Sequence, residues 1–199
     1  MRSDAGIYDS REFLSAYISG YADGEGCSTV SIAPRATLAV GWEVRPSFSV
    51  SQNGDRAEVL YALQDYFGCG SIRPDRSDKT LKWETRKLDE RDGRVCPHFI
   101  RYPLLSAKQL DFERFAFVCR LMADGEHRSR LGLVKIVSIV RGMNPGGRRR
   151  YDADELLVTL FKGEGIVCAS GNRGLTRSSD LHEWSNDLGA VSTRDPVKL

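Results

Sequence analysis

Residues 42–51 alternate. Val44, Phe48 and Val50 fall on one side, and Glu43, Arg45, Ser47 and Ser49 on the other. A period of two marks a strand with one covered and one wet face. Residues 28–32 alternate Ser/Thr with Val/Ile before Pro34 ends the run. In residues 81–88, Leu81 and Trp83 oppose Lys82, Glu84 and Arg86, and residues 71–73 offer a short partner strand. Helical spacing appears in between. Residues 10–23 read as a helix with Ser10 as N-cap and glycines at its end. Residues 55–67 carry the stripe Val59, Leu60, Leu63 and Phe67. Ser106 to Gln109 has the form of a capping box opening a helix that runs to Ala123, and another helix spans 129–141. Residues 88–97 read as a charged loop, and 99–104 fit no single pattern.

The order is α-β-β-α-β-β-α-α, an α+β fold. Its four-stranded antiparallel sheet has a face rich in Arg, Lys, Ser and Thr, and the helices cover the other. A twisted antiparallel ribbon of this kind can enter the major groove of DNA. It can equally be an ordinary solvated face.

Composition narrows the class. The chain has 199 residues, 41% hydrophobic and 28% charged, enough to bury a core and too apolar for disorder. No apolar run reaches the roughly 18 residues of a membrane span, and no membrane partner is expected. The first residues hold acids and no apolar stretch, unlike a secretory leader. Five scattered cysteines without a CxxC pair read as reduced thiols of an intracellular protein, in bacterial cytoplasm or an organelle. The net charge of +2 conceals a gradient. Residues 101–150 hold eleven Lys/Arg against four Asp/Glu, whereas 151–199 hold five against eight. Residues 1–150 are expected to form one domain and 151–199 an extension whose role the residues do not indicate.

The first helix carries the most information. Ala16, Gly20 and Gly24 recur every four residues, so one helical face is small enough for close backbone approach. With a single copy in the chain, the natural partner is the same helix of a second subunit. Asp23 and Glu25 sit at the helix C-terminus, where carboxylates oppose the macrodipole. Two such ends side by side would need an oxygen-loving divalent cation.

The stretch Ile18-Ser-Gly-Tyr-Ala-Asp-Gly-Glu-Gly26 resembles the signature of LAGLIDADG homing endonucleases. Val44 to Gln52 resembles that family's second strand, and Ser106 to Phe112 the stretch bearing a basic active-site residue. The likeness spans about residues 10–147. It implies a LAGLIDADG fold and a homodimer that cuts both DNA strands at a long pseudo-palindromic site, initiating mobile-intron transfer. The two half-sites would together span roughly 70 Å of duplex. It implies catalytic Glu25, Gln52 and Lys108, with Arg101 as the alternative basic residue. Glu25 and the Gly24 carbonyl would hold Mg²⁺, with Mn²⁺ as a substitute. Asp23 would cap the partner helix, so the dimer interface comprises Ala16, Gly20, Asp23 and Gly24. DNA contacts fall by alternation to Thr29, Ser31, Arg35, Arg45, Ser47, Ser49, Arg73, Arg76, Lys82, Glu84 and Arg86. The alternatives are an intron-RNA maturase and a non-cleaving DNA-binding regulator. Two stretches echo the motif. Ala123 to Glu126 lacks the small-residue face, and Leu160 to Gly165 has Lys162 in place of the Asp and too little chain after it for a second unit.

Overall fold

Residues 11–75, 79–144 and 151–162 are described by a computed structural model of the chain. Helix α1 (Arg11–Glu25) buries Ser15, Ile18, Ser19 and Ala22, the inward stripe of a 3.6-residue period. It ends where Gly26 begins β1 (Gly26–Pro34). A Cβ on Gly26 would lie 2.4 Å from the Ala22 carbonyl oxygen, so only glycine allows the chain to leave the helix straight into the sheet. Strand β2 (Trp42–Asn53) returns antiparallel, with Thr29 opposite Ser47 and Ser31 opposite Arg45.

Helix α2 (Glu58–Phe67) packs Leu60, Leu63 and Phe67 under the sheet. Strands β3 (Ser71–Pro74) and β4 (Thr80–Thr85) complete it in the order β1-β2-β4-β3. Ser49 lies opposite Glu84 and Arg73 opposite Lys82. All neighbours are antiparallel, so alternation puts every inward side chain on one face. Val44, Phe48, Val50 and Trp83 are buried on that face. Phe67 stacks on Trp83 at 5.3 Å, and Phe48 meets Phe99 at 5.0 Å. These aromatic contacts form the centre of the core.

The stretch 88–97, expected to be a loop, is helical. It comprises α3 (Leu88–Glu90), a π turn (Arg91–Val95) and α4 (Cys96–Arg101), which also takes up part of the ambiguous 99–104. Charge misled the reading at Arg91. This residue is only 2% exposed and donates to the carbonyls of Pro46 (2.6 Å) and Arg86. A cation that satisfies two buried carbonyls belongs inside despite its type. Strand β4 accordingly stops at Thr85, three residues short of expectation.

Helices α5 (Lys108–Ala123), α6 (Arg130–Arg141) and α7 (Ala153–Lys162) follow. Ser129 caps α6, its side chain accepting from Gly132 N at 3.0 Å. The capping box expected at Ser106–Gln109 does not form. Gln109 Oε1 accepts from Leu104 N instead, at 2.9 Å, because another residue already holds Ser106 N. Leu156 and Leu160 of α7 are buried in the core cluster, so the chain beyond residue 150 contributes to the packing. Among the described residues no helix is long and apolar enough to cross a membrane.

Candidate nucleic-acid interface and catalytic edge

The C-terminus of α1 meets the N-terminus of α5 at one edge of the sheet. Asp23 makes the joint. Its carboxylate accepts from Leu105 N (3.1 Å), Ser106 N (3.0 Å) and Ser106 Oγ (2.5 Å). The hydrogen bond from Ser106, with those from the two amides, holds the Asp23 carboxyl below its ordinary range. The acid therefore caps the entry to the chain's own α5, whereas the resemblance had assigned it to a partner helix. Ser106 Oγ in turn accepts from Lys108 N at 3.2 Å.

Lys108 completes the circuit. Its ammonium donates to Gly24 O at 2.6 Å and to Gly26 O at 3.1 Å. Carbonyls at a helix C-terminus are unpaired and negative, which suits a cation. Glu25 stands beside them, exposed, and no ion pair to it forms among the described residues. Gln52, near the end of β2, donates from Nε2 to the Tyr21 hydroxyl at 2.6 Å and accepts from Asn53 N at 2.7 Å. Tyr21 lies one turn before Glu25, and burial raises its phenol pKa. Gln52 is thus bonded to Tyr21, a residue the sequence reading passed over although it lies inside the motif. Arg101, the alternative to Lys108, lies elsewhere, over the Tyr102 ring at 5.5 Å.

A divalent cation fits this edge by donor chemistry. The Gly24 carbonyl already accommodates a positive charge, Glu25 is unpaired, and both donors are hard oxygens suited to Mg²⁺ or Mn²⁺. Among the described residues no cluster of three or more His, Cys, Asp or Glu could hold a metal. Cys96 and His98, adjacent in sequence to Pro97, are both buried in the helical layer and belong to no such cluster.

The outer sheet face carries Thr29, Ser31, Arg45, Ser47, Ser49, Arg73, Lys82 and Glu84, as their strand positions and pairing require. Arg35 follows β1, Arg86 follows β4, and Arg76 lies outside the described residues. The arginines are not free. Glu43 Oε2 pairs with Arg35 at 2.9 Å and with Arg45 at 2.5 Å. Glu84, 7% exposed, pairs with Arg73, with Arg86 at 2.9 Å, and accepts from Ser47 Oγ. The two arginines beside it hold the Glu43 carboxyl below its usual range. Alternation placed Glu43 and Glu84 on this face, but their role as hubs depends on which arginines converge on them.

On α1, Ala16, Gly20 and Gly24 are exposed beside Phe13 (41%) and Tyr17 (50%). A Cβ at Gly20 or Gly24 would meet nothing within 4 Å in this chain. Among the described residues, this face at Gly20 and Gly24 meets no other part of the chain.

The molecule thus has helices layered on an antiparallel sheet, with a charged outer face and an acid–lysine edge at the end of the first helix. That arrangement defines a class of α+β proteins suited to a polyanionic partner. The chain belongs to the LAGLIDADG endonuclease family, whose sequence profile matches residues 18–119. The structure of the homing endonuclease I-TnaI is similar at TM-score 0.65 and 32% identity, over 75% of this chain and 96% of that one. The archaeal intron-encoded homing endonuclease I-Vdi141I, complexed with DNA, is similar at TM-score 0.71 and 25% identity, over 77% and 98%. A Neurospora crassa protein described as "Probable intron-encoded endonuclease 3" is 30% identical over 170 residues, covering 77% of this chain. The chain spans about a third of that relative's length (32%), and 29% of a second Neurospora crassa relative.

Proposed function

We propose that this protein is a site-specific endonuclease that hydrolyses phosphodiester bonds in double-stranded DNA. The observation that carries the reading is the contact of the Lys108 ammonium with the Gly24 carbonyl, beside the unpaired Glu25 and at the edge of the charged sheet face. The family and the DNA in the I-Vdi141I structure support it.

The sheet face would lie in the major groove, where side chains spaced by a period of two reach base edges and phosphates. Glu25 and the Gly24 carbonyl would hold a divalent cation, Mg²⁺ by donor chemistry. When bound, such an ion supplies Lewis-acid charge and lowers the pKa of water. Lys108 would leave Gly24 and place its ammonium on the scissile phosphate, offsetting charge as it builds. Gln52, held by Tyr21, would orient the attacking water through its amide. Two chains meeting along the Ala16–Gly20–Gly24 face would bring two Glu25 carboxylates together and provide one site per strand. This reading makes the protein a homodimer with a pseudo-palindromic target. Its cut would initiate transfer of a mobile intron.

The test is cleavage of the intronless allele of the gene that carries this reading frame, in Mg²⁺, beside Glu25→Gln. Wild type should make a double-strand break and the variant none. Equal cutting by both would remove Glu25 from the reaction. Intron RNA bound tightly with no DNA cut would make the protein a maturase. Tight DNA binding without cutting would make it a regulator.

A further inference from the structure

Two sets of arginines in this chain contrast. Arg35, Arg45, Arg73 and Arg86 at the sheet each share a glutamate. Arg11, Arg94 and Arg101 border a cavity of about 610 Å³ in the helical layer, and none of the three forms an ion pair with an acid among the described residues. Glu12 is the one acid in the cavity lining.

The cavity lies at the opposite end of α1 from the catalytic edge. Fourteen residues at about 1.5 Å rise put Arg11 roughly 20 Å from Glu25 along the helix. It is therefore separate from the site assigned above. Its volume falls within the range of about 300–1,000 Å³ usual for small-ligand pockets.

The walls are aromatic and the floor is polar. The Arg11 guanidinium lies over the Tyr66 ring at 5.6 Å, and that of Arg101 over Tyr102 at 5.5 Å. Arg94 donates to the carbonyls of Phe67 (3.1 Å) and Gly68 (2.5 Å), which fixes it at the end of α2. Tyr66 Oη bonds Ser15 Oγ at 2.7 Å and His98 Nδ1 at 3.0 Å, while His98 Nε2 bonds Ser19 Oγ at 3.2 Å. Burial drives the His98 pKa down to about 4, so the ring is neutral near pH 7. The floor is internally satisfied, and the guanidiniums are left with donors to spare. Three guanidiniums that form no ion pair among the described residues line one cavity, and each is a multiple N–H donor of the kind that binds phosphate. Arginine stacked on tyrosine is a platform for a base.

We infer that this cavity is a second ligand site, taking a nucleotide unit with its phosphate on Arg11, Arg94 and Arg101 and its base against the arginine–tyrosine stacks. The unit can be a free nucleotide or one residue of a single strand, since both present the same phosphate and ring.

Titration of the full chain with adenosine monophosphate, inorganic phosphate and a dye-labelled single-stranded hexanucleotide tests the site. Calorimetry follows the first two probes and fluorescence anisotropy the third. Arg11→Gln/Arg101→Gln should weaken binding at least tenfold, and Arg120→Gln, exposed on α5 and paired with Asp124, should leave it unchanged. Saturation by the monophosphate identifies a free nucleotide. Saturation by the hexanucleotide alone identifies a strand. Phosphate binding as tightly as the monophosphate would overturn the base-binding half of the proposal. Three results would overturn the site as a whole. These are unchanged affinity in the double variant, an equal loss in Arg120→Gln, or no saturable binding of any probe. Thermal melting of each variant separates loss of ligand from loss of fold.

Discussion

Glu25 and Glu84 are the same side chain in opposite settings. Glu84 lies within the sheet face, nearly buried, with Arg73 and Arg86 on its carboxylate and the Ser47 hydroxyl donating to it. Glu25 is exposed at a helix C-terminus, where the macrodipole disfavours an anion and no ion pair offsets it among the described residues. A carboxylate already neutralised by two guanidiniums has little attraction left for a metal. One without an ion pair, beside a carbonyl that already accepts from a cation, keeps that attraction. The acid that stabilises the fold and the acid available for chemistry therefore differ in their partners, not in type. Lys108 makes the same point for cations. It is seated on two backbone carbonyls and forms no ion pair among the described residues, so it can change partner more readily than the ion-paired arginines.

Several substitutions would break or sharpen this contrast. Glu25→Gln should lower single-turnover cleavage of the target by about 10³-fold or more while DNA binding in a mobility shift survives. Retained cleavage would erase the distinction between the two acids. Lys108→Met should cost about 10²–10³-fold in the cleavage rate, read with saturating DNA so that affinity drops out. Gly20→Leu places a branched side chain on an exposed position of α1. Self-association measured by sedimentation should weaken at least tenfold with the monomer still folded, and an unchanged dimer would move the interface elsewhere.

Glu84→Gln leaves two arginines without their carboxylate. It should destabilise the protein by about 1–2 kcal/mol in a urea titration, less than a fully buried pair because both arginines are partly exposed. If Arg73 and Arg86 contact DNA as proposed, it should also relax base preference at those positions. Glu43→Gln should have the smallest effect, at most a few tenths of a kcal/mol, since its pairs are solvated. Its sign with pH is defined. The folded-state carboxyl titrates below its unfolded value, so its contribution is present above the ordinary glutamate range. It is lost as pH falls through the folded pKa. Wild type and Glu43→Gln should therefore converge in melting temperature towards pH 3.

The same contrast explains what was readable in the chain. Alternation in β2 and β4 places Arg45, Ser47, Ser49, Lys82 and Glu84 on one face without any knowledge of the fold, because a strand's side chains must alternate. The four-residue spacing of Ala16, Gly20 and Gly24 likewise marks a helix face by geometry alone. The segment 88–97 was misread for a physical reason. Local charge predicts exposure, but Arg91 is drawn inward by the carbonyls of Pro46 and Arg86, which lie far from it or on another element. Ser106 and Gln109 have the residue types of a capping box, yet Asp23, more than eighty positions away in sequence, outcompetes that local arrangement.

Residue order alone was enough for the strand faces, the helix stripes, the place of Glu25 at a helix end and the kinship with an endonuclease family, since each rests on short-range periodicity or a contiguous motif. Tertiary packing decided the rest. It brought Lys108 to Gly24, joined Gln52 to Tyr21, gathered four arginines on two glutamates and left three others around an open cavity. Those outcomes depend on which elements pack together, and a hydrogen bond or ion pair forms only once its two groups share a place in space.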